Sequence, residues 1–226
     1  MAARIMRPVL ERAVKAEWDT ICARLEEVLL VLDNRLDCAP PLVAQQLLVS
    51  GEDHRHGHHV GFDLIAIGRA IWRRLSQGIH EGGSTIEQQV VRVLTGRYER
   101  TIFRKVREIA LATLVAQRYG KPRLPAVYLW IGYYGWRMDG YLEACRTLNL
   151  SPDRLSRRDA ARLVARLKYP QPKIGSAARA NQIERRAQHL CALYGKHVSR
   201  GIYDHLHIDG QTIFKRSPSR EPIPQP

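Results

Sequence analysis

Apolar residues recur every three or four positions along most of this chain and alternate over almost none of it, a pattern that helices can bury and strands cannot. Val9, Ala13, Trp18, Ile21, Leu25, Val28, Leu32 and Leu36 form one stripe, ended by Pro40 and Pro41. The polar face of this element carries Glu and Asp as well as Arg, which favours packing on the domain over lying on a membrane. Asp63 is suited to cap a second helix that places Leu64, Ile67, Ile71 and Leu75 inward and stops at Gly78. Glu81-Gly82-Gly83-Ser84 leads into a third helix. Thr101 opens a fourth that reaches about Tyr119 with Ile102, Val106, Ile109 and Leu114 inward. Ser156 with Asp159 reads as a capping box before a helix through Leu163, Val164 and Leu167, and residues 179–195 read as a basic helix. Strand signals reduce to a short hairpin around Asp209-Gly210, so the class is mainly α. The tail 217–226, with Pro at four positions, has too little apolar content to pack.

Lys and Arg outnumber Asp and Glu by 36 to 22, a formal charge of +14, which points to an anionic partner such as a phosphate-bearing ligand, nucleic acid or anionic lipid. Residues 146–200 carry 13 basic against 3 acidic residues, whereas residues 1–40 carry 6 against 7. The basic surface is therefore built by the C-terminal half, with a solvated helical face as the plain alternative. No helix-turn-helix, zinc-finger or RNA-binding signature accompanies it, which disfavours nucleic acid. Cys22, Cys38, Cys145 and Cys191 show no metal-ligand or disulfide-framework spacing and read as ordinary thiols. The apolar run Val28 to Leu32, flanked by Glu26, Glu27 and Asp33, is too short for a membrane span or a signal-peptide core.

Three polar, glycine-containing or acidic segments sit beside strong helices: Glu52 to His59, Gly82 to Gln89, and Arg104 to Glu108. A Gly-Gly-Ser-Thr turn at a helix start can offer backbone N–H groups and two hydroxyls to an anion, although an ordinary capped turn has the same composition. On the fourth helix Arg100, Arg104 and Glu108 follow at four-residue steps with Lys105 and Arg107 beside them. Such a Glu stays ionised among cations that suit a diphosphate; a surface salt-bridge ladder is the simpler reading of that segment alone. His54, His56, His58 and His59 could bind a transition metal or form a polar loop beside a cleft. Trp130, Tyr133, Tyr134, Trp136 and Tyr141 could line a lipid groove or fill the core.

In this order and spacing the three segments resemble glycosyltransferase family 51, the peptidoglycan glycosyltransferase domain of bifunctional penicillin-binding proteins and monofunctional transglycosylases. The family's first motif, Glu-Asp-x-x-Phe-x-x-His-x-Gly-x-Asp, is met by Glu52, Asp53, His59, Gly61 and Asp63, with His56 in place of Phe. The second, Gly-Gly-Ser-Thr-Ile-Thr-Gln-Gln-x-x-Lys-Asn, is met by Gly82, Gly83, Ser84, Thr85, Ile86, Gln88 and Gln89, with Glu87 for Thr, Arg92 for Lys and Val93 for Asn. Arg104, Lys105 and Glu108 complete Arg-Lys-x-x-Glu, and Tyr119 with Lys121 continues the similarity. Where the family has Glu-x-Tyr-Leu-Asn, the chain keeps Tyr128 and Leu129 but has Ala126 and Trp130, with Pro122 and Pro125 nearby. The resemblance covers roughly residues 42–190.

The resemblance implies a lysozyme-like bilobal helical domain at 42–195; the residues themselves place an N-terminal amphipathic helix at 1–41 before it, and a C-terminal extension at 196–216 and a disordered tail at 217–226 after it. It implies transfer of a glycan from its lipid-linked pyrophosphate to the 4-hydroxyl of a lipid-linked disaccharide-peptide, with inversion. Glu52 and Glu108 would be the catalytic pair, Glu52 as general base with adjacent Asp53 raising its pKa. Asp53, His59, Ser84, Thr85, Gln88, Gln89, Arg92, Arg104 and Lys105 would bind substrate, with the cations on the diphosphate. No cofactor is required by it; a divalent cation such as Mg or Mn at Glu108 is the one it leaves room for. Partners implied are the lipid-linked precursor, the glycan strand and a peripheral membrane contact, at the bacterial membrane surface or periplasm, with the cytoplasm left open by the lack of a visible leader or span. An accessory protein that binds precursor without turnover and a lysozyme-like glycan-cleaving enzyme are the competing readings.

Overall fold

The computed structural model describes residues 15–78, 82–99 and 101–206. Nine helices of at least seven residues and one two-stranded sheet are found among them, so the mainly α class holds and is consistent with a lysozyme-like domain. In chain order the helices are α1 (Lys15–Asn34), α2 (Leu42–Glu52), α3 (Leu64–Gln77), α4 (Ile86–Thr95), α5 (Ile102–Tyr119), α6 (Leu124–Ile131), α7 (Tyr141–Thr147), α8 (Arg157–Lys168) and α9 (Ala177–Val198). The expected hairpin at Asp209-Gly210, the tail at 217–226, Val9, Ala13, Glu81 and Arg100 lie outside the described residues.

The caps fall where side chains of the right length occur. Asp63 accepts from the Ile65 and Ala66 N–H groups at the start of α3, Thr85 from Gln88 on α4, Thr101 from Arg104 on α5 and Ser156 from Asp159 on α8. Gly78 and Gly96 end α3 and α4 in the left-handed region, with φ of 64° each. Pro125 is accommodated in the first turn of α6, where no intrahelical N–H is needed, so the two prolines of the degraded motif redirect the chain without breaking a helix.

The core runs through α1, α2, α4, α5, α6, α8 and α9. The α1 stripe packs on α4 and α6, and Ile21, Leu25 and Leu32 are fully buried, each worth about 1.5–3 kcal/mol of transfer free energy. Leu36, expected to end that stripe, is exposed because α1 stops at Asn34. Helix α2 lies between α8, α9 and α6, with α4 packed on α5 and α6.

Two expectations about helix faces are corrected. On α3, Leu64 is 70% and Leu75 81% exposed, and no described α3 residue is buried, since this helix lies at the edge of the domain. On α5, Ile102 and Val106 point outward with Phe103, whereas Leu111, Leu114 and Val115 fill the core. The buried face of α5 is rotated because Glu108 turns inward. The sheet, β1 (Tyr133–Gly135) with β2 (Met138–Asp139), was not signalled, as strands this short show no alternation. Gly135 also bridges Gln171, and with φ of 139° a Cβ there would lie 2.4 Å from the Gln171 backbone. Tyr134 and Tyr141 are core residues, Trp130 is partly buried, and Tyr133 and Trp136 are exposed. All four cysteines are free. Among the described residues no helix is long and apolar enough to cross a membrane.

Candidate active site

Glu52 is the last residue of α2, where a buried helix delivers it to the wall of a cleft of about 550 Å³. Its Oε2 accepts from Gln89 Nε2 on α4 at 3.1 Å, and its Oε1 from Arg186 Nη2 on α9 at 3.1 Å. Gln89 is held in turn by the Tyr128 hydroxyl, which donates to Gln89 Oε1 at 2.6 Å. The cleft is lined by Arg69, Arg73, Arg92, Lys168 and Arg186, and Glu52 is the one carboxylate among its described lining residues. Five cations around one carboxylate make a field that attracts a multiply charged anion. His54 and His189 also line it; burial first, then Arg69 for His54 and Arg186 for His189, lowers the pKa of each and favours the neutral ring.

Asp53 turns the other way. Its carboxylate accepts from the Ile86 N–H at 3.2 Å at the start of α4 and pairs with His59 Nε2 at 3.0 Å, both side chains 4% exposed. The Thr85 hydroxyl donates to Gly61 O at 2.8 Å. Gly61 has φ of 108°, and a Cβ on it would lie 2.6 Å from Ala112 O, so no other residue fits without displacing α5. Asp63 pairs with Arg55 at 2.8 Å; burial would raise its pKa, but the α3 N–H groups and Arg55 bring it below the usual carboxylate range. These residues splice the first two motifs together behind the cleft.

Glu108 is the hub of the third segment. Arg92 reaches it through two hydrogen bonds of 3.0 Å, Lys105 at 2.8 Å, and Arg104 through a further short contact. Burial would raise the Glu108 carboxyl, but Arg92 and Lys105 outweigh it and hold the pKa down. Lys105 is lowered by burial against the pull of Glu108. Arg92 and Lys105 both also reach Ser84 Oγ, at 3.3 and 3.0 Å, and Lys105 donates to the buried Gln88 Oε1. The Glu108 oxygens thus accept four hydrogen bonds from three cations, a donor set that does not fit a divalent metal there. Asp53, His59 and Glu87 bring three ligand atoms within 4.8 Å of one another, but Lys121 Nζ lies 2.8 Å from Glu87 Oε1 and 3.0 Å from His59 Nδ1 and supplies positive charge there.

The expected site residues therefore divide. Glu52, Ser84, Gln89 and Arg92 line the cleft, with Lys105 and Glu108 behind Ser84 and Arg92. Asp53, His59, Thr85 and Gln88 are turned into the protein, and Arg104 lines a separate small cavity with Glu108 and Glu17. Sequence reasoning missed Arg186, Lys168 and His189 on α8 and α9 and Arg69 and Arg73 on α3. The charge excess of residues 146–200 was the available signal for the first group, read only as a basic surface.

A mainly helical domain whose basic cleft holds a single carboxylate among its described lining residues is suited to an anionic ligand. The transglycosylase family model matches residues 33–193, and the chain belongs to that family. It is 33% identical over 129 residues to a biosynthetic peptidoglycan transglycosylase of Thiobacillus denitrificans, covering 56% of each chain. It is 34% identical over 150 residues to one of Pseudomonas putida, covering 63% of this chain and 64% of that one. A monofunctional glycosyltransferase of Staphylococcus epidermidis is 36% identical over 95 residues, 42% of this chain and 35% of its own. The chain thus spans under two thirds of the length of these relatives.

Proposed function

We propose that the chain is a peptidoglycan glycosyltransferase that lengthens a glycan held on a lipid-linked pyrophosphate. The observation that carries this is the placement of Glu52 as the one carboxylate among the described lining residues of a cleft that five Lys or Arg side chains also line. Glu52 takes the proton of the attacking 4-hydroxyl as the new bond to the anomeric carbon forms. The bond from that carbon to the phosphate oxygen breaks on the opposite face, its electron pair leaving with the diphosphate, and the configuration inverts. Arg92 and its neighbours bind the diphosphate as charge builds on the leaving oxygen. Arg at position 92, where the family has Lys, presents a planar fork that can engage Glu108 and a phosphate together.

The buried, ionised state of Glu108 supports transfer over cleavage. A glycan-cleaving pair needs one carboxylic acid and one free carboxylate at the sugar, and Glu108, buried with its oxygens taken by three cations, fits neither part. Glu108 instead positions Arg92 and Lys105. Peripheral membrane contact is supported by the exposed apolar side chains of Trp72 and Leu75 on α3 and Ile102 and Phe103 on α5, beside Arg74 and Arg107.

Incubation of the purified protein with a fluorescent lipid-linked disaccharide-peptide is expected to yield a ladder of glycan polymer, and Glu52→Gln is expected to abolish it without loss of fold. Polymer that is unaffected by Glu52→Gln would refute the assignment of the base.

A further inference from the structure

Two of the positions at which this chain departs from its family's motifs, His56 for Phe and Glu87 for Thr, lie against one another. Both side chains are fully buried, with His56 Nε2 3.4 Å from Glu87 Oε1. Either departure alone would leave a buried polar group with one partner fewer, which is costly. Together with Lys121, 2.8 Å from Glu87, they form a neutralising cluster, bordered by Asp53 and His59. Burial would raise the Glu87 carboxyl, but His56 and Lys121 hold it far below the usual range.

Chain beyond the family match at residues 33–193 completes the cluster. His205, in the short 3-10 turn Asp204–Leu206, places Nε2 2.8 Å from His56 Nδ1, and a Cβ at Gly57 would lie 3.0 Å from the same imidazole. The Tyr203 hydroxyl lies 2.5 Å and His197 Nδ1 3.0 Å from Ser50 Oγ. Ser50 precedes Glu52 by two residues and His56 follows it by four, so one short segment grips the chain on both sides of Glu52. Where the family motif has Phe, position 56 here is polar: His56 Nδ1 is hydrogen-bonded to His205, and Nε2 faces Glu87 at ion-pair distance.

We propose that His205, acting through His56 and Glu87, is a positioning residue for Glu52, and that residues 197–206 are a built-in strut for the loop that follows it. The proposal rests on the reading of Glu52 as the base, and its test has one arm that needs no turnover. Deuterium exchange at the backbone amides of 52–61 is followed on the full chain, beside polymerisation kinetics. His205→Ala is expected to speed that exchange by about tenfold or more and to lower kcat by about tenfold to hundredfold with KM nearly unchanged. His205→Gln, whose amide reaches the same place, is expected to restore both. In the His56→Phe/Glu87→Thr double variant, exchange is expected to be indifferent to His205.

Folded His205→Ala with unchanged exchange at 52–61 overturns the strut, and faster exchange with unchanged kcat overturns the positioning role. Faster exchange in a protein that makes no polymer even as wild type supports the strut and counts against the reading of Glu52 alone. If His205→Ala does not fold, Tyr203→Phe, which removes only the hydroxyl on Ser50, carries the same expectations and the same overturning results.

Discussion

Arg186 Nη2 lies 3.1 Å from Glu52 Oε1, an ion pair between residues 134 positions apart in the chain. The same nitrogen donates to Gly51 O at 2.6 Å. The guanidinium therefore clamps the last turn of α2, where the partial negative charge of the helix end also favours a cation. The end of α2 is thus held by α9, a helix that packs on it from much later in the chain.

Arg186→Ala is expected to cost about 1–3 kcal/mol of stability and to lower polymerisation by about tenfold to hundredfold through misplacement of Glu52. Arg186→Lys is expected to recover part of the stability, since it keeps the charge, and less of the rate, since a single ammonium does not hold both acceptors in the same geometry. Denaturant unfolding and steady-state kinetics on the two variants check this; equal rates for both would show that charge alone suffices.

Glu108→Gln is expected to destabilise the fold by about 3–5 kcal/mol, the usual cost of removing one partner from a buried ionic cluster. Arg92, Arg104 and Lys105 would face one another with no carboxylate among them, although the amide nearly matches the shape of the acid. A urea midpoint unchanged from wild type would mean that the three cations are held by other groups.

Stability is expected to fall on acidification from about pH 6.5. Burial, helped by His56, lowers His205 to about 4, and His54, His189 and His197 are lowered in the same sense, burial first. Below the ordinary imidazole pKa of about 6.5 the unfolded chain takes up protons that the folded one resists, so the unfolded state gains as pH drops. Below the ordinary carboxylate value of 4.5 a second loss begins, because Glu108 is depressed in the folded state and its contribution disappears as it protonates. Thermal melts from pH 7.5 to 4 check the sign; a melting temperature that is flat or rises between pH 7 and 5 would contradict it.

Gly61→Ala is expected to cost more than Gly78→Ala, although both positions have positive φ. At Gly78 nothing lies within 4 Å of an added Cβ, leaving the left-handed backbone strain of about 1–2 kcal/mol. At Gly61 the Cβ would meet Ala112 O at 2.6 Å, so that strain is joined by displacement of α5 from the motif loop. Comparison of the two unfolding midpoints checks the order, and equal losses would show that α5 yields freely.

Much of the local architecture was legible because its causes are local. Asp63, Thr101 and Ser156 cap the helices that follow them, since a short oxygen-bearing side chain needs only the next few N–H groups; Thr85, expected at the substrate, does the same. The three motifs could be ordered and matched for a similar reason, each being contiguous. Helix faces were less secure. The periodic residues Leu64, Leu75, Ile102 and Val106 satisfy the spacing of a buried stripe yet are exposed, because spacing defines a stripe and says nothing of whether a neighbour covers it.

By itself the sequence determined a helical chain, the start of several helices, the family and the motifs that contain Glu52 and Glu108. Only the tertiary structure decided that these two carboxylates differ, with Glu52 at the cleft between Gln89 and Arg186 and Glu108 buried under three cations. It alone joined His56 to Glu87 and both to His205. The physical reason is range: capping and periodicity act over about one helical turn, whereas a buried charge takes its partner from whatever element folds against it.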